Sequence, residues 1–196
     1  MGDGIANKIK IVRALVKLME SRTLDDISVA EICEVAGISR QTFYRSFEDK
    51  YAIANWYSDS VIESTTRQIG RTLGWRDGYL TLAKILGRNA AFMRGVSKSR
   101  ELNSIFARTI RMSAADMTQA YATRKGHEPE GRVAYQIHAF ARTSTECMSE
   151  WFEGGCVLDP ETFVDYVVSL VPRELFDALE MESLPEQGDA GLLLLI

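Results

Sequence analysis

Two helix-start signals crowd around a single glycine in this chain, and that crowding restricts the fold more than any other feature. Ser28-Val29-Ala30-Glu31 reads as a capping box: the Ser28 hydroxyl can accept from the Glu31 amide while Glu31 reaches back. Gly37 arrives nine residues after Ser28 and supplies a left-handed turn conformation that other residues adopt at a cost. Ser39 starts a second short helix at once, with room to run through Arg45. Ile32, Ala36, Ile38, Phe43 and Phe47 fall where these two helices and a third share a core. The third helix lies upstream, where Ile9, Val12, Leu15, Val16 and Met19 recur every three or four residues between Lys8, Lys10, Arg13 and Lys17. Thr23 to Asp26 breaks it. Cys33, one turn before Gly37, sits where close helix approach needs a small side chain, which makes it a packing residue rather than a reactive thiol.

Helical periodicity continues to the C-terminus and strand-like alternation is nearly absent. Asp49 suits the N-cap of a longer helix through Ala54, Trp56, Tyr57, Val61 and Ile62, ending near Gly70 or Gly74. Further helices are expected over Asp77–Arg94, Glu101–Thr123, Arg132–Phe152, Pro160–Leu170 and within Arg173–Glu182, separated by glycine- and proline-containing breaks. The chain therefore reads as all-α: an N-terminal three-helix helix-turn-helix domain (1–50) and a larger helical bundle (51–182). An acidic, then apolar tail (183–196) follows. Its Leu192–Ile196 end fits either a segment packed in a bundle groove or a free end.

The helix after Ser39 has the chemistry of a recognition helix, which enters the DNA major groove. With Phe43 inward and about 100° of rotation per residue, Gln41 and Arg45 point away from the core, flanked by Thr42 and Tyr44. Arg40 projects from the first turn, closest to base edges. Arg bonds bidentately to guanine and Gln to adenine. The hydroxyls of Ser39, Thr42 and Tyr44 suit phosphate oxygens, which fix register without reading sequence. Lys50 opposes the dipole of the helix it starts. A phosphate at that N-terminus would remove the conflict, and a solvated lysine paired with Glu48 or Asp49 is the plainer alternative.

The stretch from Ile27 to Lys50, with its Ala-Gly-Ile turn, Thr-Phe-Tyr triplet and Phe-x-x-Lys ending, resembles the DNA-binding domain of the tetracycline-repressor (TetR) family of bacterial transcriptional regulators. The resemblance spans roughly residues 8 to 57. It implies an all-helical homodimer with a C-terminal ligand and dimerisation unit, and DNA-facing roles for Ser28, Ser39, Arg40, Gln41, Thr42, Tyr44, Arg45 and Lys50. The implied partners are double-stranded DNA with a palindromic operator, a second copy of the chain and a small-molecule effector.

In the C-terminal region Val133, Ile137, Phe140, Ser144, Cys147 and Trp151 make a heptad-like seam. Phe163, Val164, Val167, Leu170 and Val171 give the next helix a matching face. Two such helices from each of two subunits would form a four-helix dimer interface; the alternative is that both complete a monomer core. A ligand cavity is expected among the helices between Asp77 and Phe152. Candidate lining residues are Trp75, Tyr79, Phe92, Met93, Phe106, Met112, Met117, Tyr121 and Tyr135, with His138 as a polar anchor or a core histidine on a backbone carbonyl.

No cofactor or metal is expected: the cysteines Cys33, Cys147 and Cys156 are too scattered for a zinc cluster, and His127 lies in one turn with Glu128 and Glu130. Enzymatic signatures (a nucleophile elbow, a phosphate loop, a dinucleotide fingerprint) are absent. No apolar run approaches the ~18–20 residues of a membrane span, and a bacterial cytoplasmic setting is expected. The function expected is a repressor released from DNA by a ligand; the alternative is an activator, or a regulator acting through a protein partner without a cavity.

The net charge of −4 opposes DNA binding until it is resolved by region. Residues 1–50 hold 8 basic and 8 acidic groups, 51–144 hold 14 and 7, and 145–196 hold 1 and 12. The acidity belongs to the end of the chain furthest in sequence from Arg40, beyond the screening length of about 8 Å if that separation persists in space.

Overall fold

The computed structural model describes residues 3–97 and 103–184. The Leu192–Ile196 tail lies outside the described residues. The N-terminal unit is built from α1 (Asp3–Leu18), α2 (Val29–Ala36) and α3 (Arg40–Ser46). Helix α1 turns Ile11, Val12 and Leu15 fully inward, where they meet Ile32 and Phe43 of the following pair. Phe47 continues this core, 6.4 Å from the Phe43 ring and 5.9 Å from Trp56. The Lys8 ammonium sits over Phe47 and Trp56, at 5.4 and 5.2 Å from their centroids, so its charge stays on ring faces while its stem packs.

Helix α4 (Lys50–Ser64) leaves this unit without a break and enters the C-terminal region. Asp49 caps it, its carboxylate accepting the Ala52 amide at 2.7 Å. The helix stops at Ser64, short of the expected Gly70 or Gly74. Thr65 leaves helical geometry at φ −127°, ψ −97°, and its buried hydroxyl donates to the Val61 carbonyl at 2.6 Å. A 3₁₀ turn over Thr66–Gln68 follows.

The single helix expected over Asp77–Arg94 is two helices, α5 (Trp75–Arg88) and α6 (Ala90–Ser97). Asn89 divides them. Its buried amide nitrogen donates to the Tyr57 hydroxyl at 3.0 Å and the Ile85 carbonyl at 3.3 Å, tying the break to α4. Helix α6 runs through Gly95, where the bare backbone admits the Met19 methyl at the end of α1; a Cβ there would collide with it. The remaining helices are α7 (Asn103–Lys125), α8 (Gly131–Glu153), α9 (Pro160–Ser169) and α10 (Arg173–Leu179).

One buried apolar cluster runs from α1 to α10. Its aromatic centre is Trp75, Tyr79 and Phe140, with Phe140 edge-on at 5.5 and 6.0 Å. At the other end of α8, Trp151 stacks on Phe163 at 4.6 Å. These contacts correct the expected dimer seam. Val133, Ile137, Phe140, Ser144 and Trp151 of α8, and Phe163 and Val167 of α9, are buried within a single chain, and Cys147 is half-buried. Only Leu170, at 50% exposure, is open to a partner. The heptad-like spacing marks a seam to the chain's own α5 and α9, because a helix buries its apolar stripe against whichever neighbour is nearest.

The regional charges also meet. Arg76 pairs with Asp165 at 2.8 Å, Lys84 with Glu161 at 3.1 Å and Arg132 with Glu174 at 2.8 Å, joining the basic middle of the chain to its acidic end. Such exposed pairs contribute about 0–1 kcal/mol each. Their effect is to neutralise the surface. Replacing Phe140 by Ala should lower stability by about 3–5 kcal/mol through the cavity left against Trp75. Urea denaturation would measure the loss, and sedimentation at low urea should show no change in oligomeric state.

Candidate nucleic-acid interface and inner cavity

The helix-turn-helix is held by short-range bonds that its sequence announces. Ser28 and Glu31 form the full capping box, with the Glu31 amide on the Ser28 hydroxyl at 3.3 Å and the Ser28 amide on the Glu31 carboxylate at 2.9 Å. Arg22 adds a bond to the other Glu31 oxygen at 2.6 Å. This guanidinium, with the Ser28 bonds, holds the Glu31 carboxyl down at about 2. Gly37 closes α2 at φ 64°, ψ 38°, with the Ile38 amide on the Cys33 carbonyl at 3.0 Å. Ser39 then caps α3, accepting from the Thr42 amide at 3.1 Å.

The outcome is a helix presented rigidly from below. Phe43 is fully buried while Arg40, Gln41, Tyr44 and Arg45 are exposed, Tyr44 at 58%. No acid interrupts this face from Arg40 to Ser46. Two guanidiniums, an amide and a phenol on one side of a short helix are hydrogen-bond donors in the geometry that base edges and phosphates accept. Thr42 is half-buried, and its hydroxyl is 2.9 Å from that of Ser39, so these two groups already share a bond. The Ser28 hydroxyl is likewise engaged, on Glu31 at 2.7 Å. Lys50 has protein partners in place of the expected phosphate: its ammonium donates to the Asp25 and Ile27 carbonyls at 2.8 Å each. Those carbonyls answer the helix-dipole conflict and pin the segment before α2 to the start of α4.

A cavity of about 80 Å³ lies between α4, α5, α6, α7 and α8. Of the expected lining residues, Tyr79, Met93 and Phe106 meet there. The others do not line it. Phe92 packs edge-on to Tyr57 at 5.3 Å, Met117 and Trp75 are core residues, Met112 is half-buried, and Tyr121 faces the His127 ring at 5.8 Å. Tyr135 is 76% exposed. His138 is exposed too, beside Arg111 and Glu128 in an outer hollow, because it is one residue past the buried Ile137. Ser144, expected at the dimer seam, lines the cavity and bonds to Tyr79. Tyr57 of α4 also lines it and was outside the expected span. Burial raises both phenols to about 12, so they stay protonated at any physiological pH.

Residues 11–55 match the family described as bacterial regulatory proteins, tetR family. Over 92 residues the chain is 30% identical to the HTH-type dhaKLM operon transcriptional activator DhaS of Lactococcus lactis subsp. lactis (strain IL1403), covering 47% of this chain and 49% of that protein. The chain thus spans about half the length of that curated relative. Among solved structures, the dihydroxyacetone kinase operon activator DhaS superposes with a TM-score of 0.69 at 19% identity, covering 90% of this chain and 99% of that one. The TetR family repressor AlkX from Dietzia sp. strain DQ12-45-1b, implicated in biodegradation of n-alkanes, gives 0.53 at 16% identity over 87% of this chain and 98% of that one. A TetR transcriptional regulator from Streptococcus agalactiae 2603V gives 0.56 at 16% identity, over 86% and 94%. At these identities the likeness is one of fold, and it extends across both halves of the chain.

The Glu31 shift makes a pH prediction. Its folded value of about 2 lies below the ordinary 4.5, so its contribution is complete above about pH 4.5 and is lost as pH falls toward 2. Amide-exchange protection of α2 should fall across that window and the fall should shrink in Glu31→Gln. Flat protection in the parent chain between about pH 5 and 3 would refute it.

Proposed function

We propose that this chain, whose residues 11–55 match the tetR family of bacterial regulatory proteins, is a homodimeric, sequence-specific DNA-binding regulator. In this reading a small molecule entering the inner cavity releases it from a palindromic operator. The observation that carries the reading is the outer face of α3, where Arg40, Gln41, Tyr44 and Arg45 stand exposed on a helix anchored by Phe43. Arg40 and Gln41 read bases; Tyr44 and Arg45, with the Ser39 and Thr42 hydroxyls, hold phosphates. Lys50 supports the same surface from behind by fixing the start of α2, and Ser28 does so by capping it.

A palindromic site needs two recognition helices about 34 Å apart, hence two copies of the chain. The outer faces of α8 and α9 supply apolar surface for that contact, with Tyr135 at 76%, Tyr166 at 60% and Leu170 at 50% exposure. Residues 1–50 form the DNA-binding domain and 51–182 the ligand and dimer domain, with α4 crossing between them. The effector reading is supported by α4 contributing to both: Lys50 belongs to the helix-turn-helix and Tyr57 to the cavity wall. Among the described residues no helix is long and apolar enough to cross a membrane, which agrees with action on DNA in the bacterial cytoplasm.

The likeness to DhaS, an operon activator by name, favours a second reading in which the bound regulator raises transcription. A promoter reporter in the presence and absence of the chain separates the two signs. Operator selection from random DNA gives the binding site. Arg40→Ala and Gln41→Ala should then each cost about 1–3 kcal/mol of discrimination at one base pair, while Lys50→Ala weakens all sequences alike. Unchanged operator affinity in all three variants would overturn the assignment.

A further inference from the structure

Among the described residues, none that lines the inner cavity carries a formal charge. The charged neighbours of its wall are tied to one another on the α4–α7 seam instead: Asp59 to Arg108 at 2.6 Å, and Arg67 to Asp116 at 3.0 Å and to Glu63. An ion entering the cavity would give up its hydration with no counter-charge to replace it. The wall is predominantly carbon, and several of its hydroxyls are already engaged. Thr145 donates to the Ala141 carbonyl at 2.7 Å, Ser144 donates to the same carbonyl at 3.4 Å, and Tyr79 bonds to Ser144.

Tyr57 is the fully buried hydroxyl of the wall, and its orientation follows from hydrogen-bond polarity. The Asn89 amide nitrogen donates to the Ile85 carbonyl, which can only accept. The same nitrogen meets the Tyr57 oxygen, so that oxygen is the acceptor and the phenolic proton is left over. Tyr57 is fully buried on the cavity wall, and among the described residues its proton has no acceptor. A buried donor without an acceptor is costly, and a ligand oxygen would relieve it. Size adds a limit: the cavity is about 80 Å³, against about 150 Å³ for an apolar cavity that takes benzene.

We propose that this cavity selects a compact, uncharged organic molecule of about four or five carbons whose carbonyl oxygen accepts a hydrogen bond from Tyr57, in the class of short-chain ketones, aldehydes and esters. The inference rests on the cavity being the effector site of the regulatory reading. An oxygen held by Tyr57 touches α4 directly and is one hydrogen bond from Asn89 at the α5–α6 break. Occupancy is therefore felt at the helix that carries the DNA-binding unit.

The test uses the full chain and three probes of equal length: 2-butanone, butanoate and butylammonium. Ligand-observed NMR titration should give a millimolar dissociation constant for 2-butanone and no saturable binding for either ion. Tyr57→Phe should weaken 2-butanone about five- to tenfold, the loss of one hydrogen bond. Ser113→Leu, which fills the cavity from α7, should abolish binding. Butanoate or butylammonium binding as tightly as the ketone overturns the proposal, as does no ketone binding up to about 100 mM. So does an unchanged constant in Tyr57→Phe, which keeps the assay decisive should Ser113→Leu fail to fold. DNA retention measured alongside separates the two readings: ketone binding that leaves DNA affinity unchanged supports this ligand class and overturns ligand release.

Discussion

Everything in this molecule hangs on α4 being one unbroken helix packed into both of its halves. Its first turn is fixed by Asp49 on Ala52 and by Lys50 on the carbonyls before α2. Ile53, Ala54 and Tyr57 bury against the shared core, and Tyr57, Val61 and Ile62 form part of the cavity wall. Interiors are close-packed, so a helix held at both ends cannot bend to absorb a change in the cavity without moving the other end. The apolar cluster is accordingly continuous from α1 to α10, across the sequence boundary near residue 50.

Around that helix, polar groups sort by their distance from water. On α3 the donors stay exposed and solvated, where exchanging water for another hydrogen-bond acceptor costs little. Within the bundle Thr65 bonds to Val61, Asn89 to Tyr57 and Ile85, and Tyr79 to Ser144, while one oxygen each of Asp59, Asp116 and Gln136 is buried without a partner among the described residues. Charges sit between these extremes. The α4–α7 seam and the pairs from Arg76 and Lys84 to α9 lie at partly exposed edges, where they orient helices more than they stabilise them.

How much of this could be read in advance depended on the range of the interaction. The capping box at Ser28, the turn at Gly37 and the cap at Ser39 act within four residues, so residue type and spacing determine them locally. The inward Phe43 then orients Arg40, Gln41, Tyr44 and Arg45 by helical geometry alone. Longer-range features left no such mark. Asn89 breaks a helix without glycine or proline because its partner Tyr57 lies 32 residues away. The stripe from Val133 to Trp151 has the same period whether it faces another subunit or the chain's own Trp75, Tyr79 and Phe163. His138, one residue off that stripe, turns outward for the same geometric reason.

The contact between Gly95 and Met19 has a mechanical character of its own. On one side is a helix backbone without a side chain; on the other is the end of a flexible thioether. Carbon atoms in contact repel steeply when pressed together but attract only weakly when drawn apart. The contact itself is between carbon atoms and holds no hydrogen bond. The joint between α6 and α1 therefore behaves as a strut: it carries compression from the cavity side into the DNA-binding unit and slackens under tension.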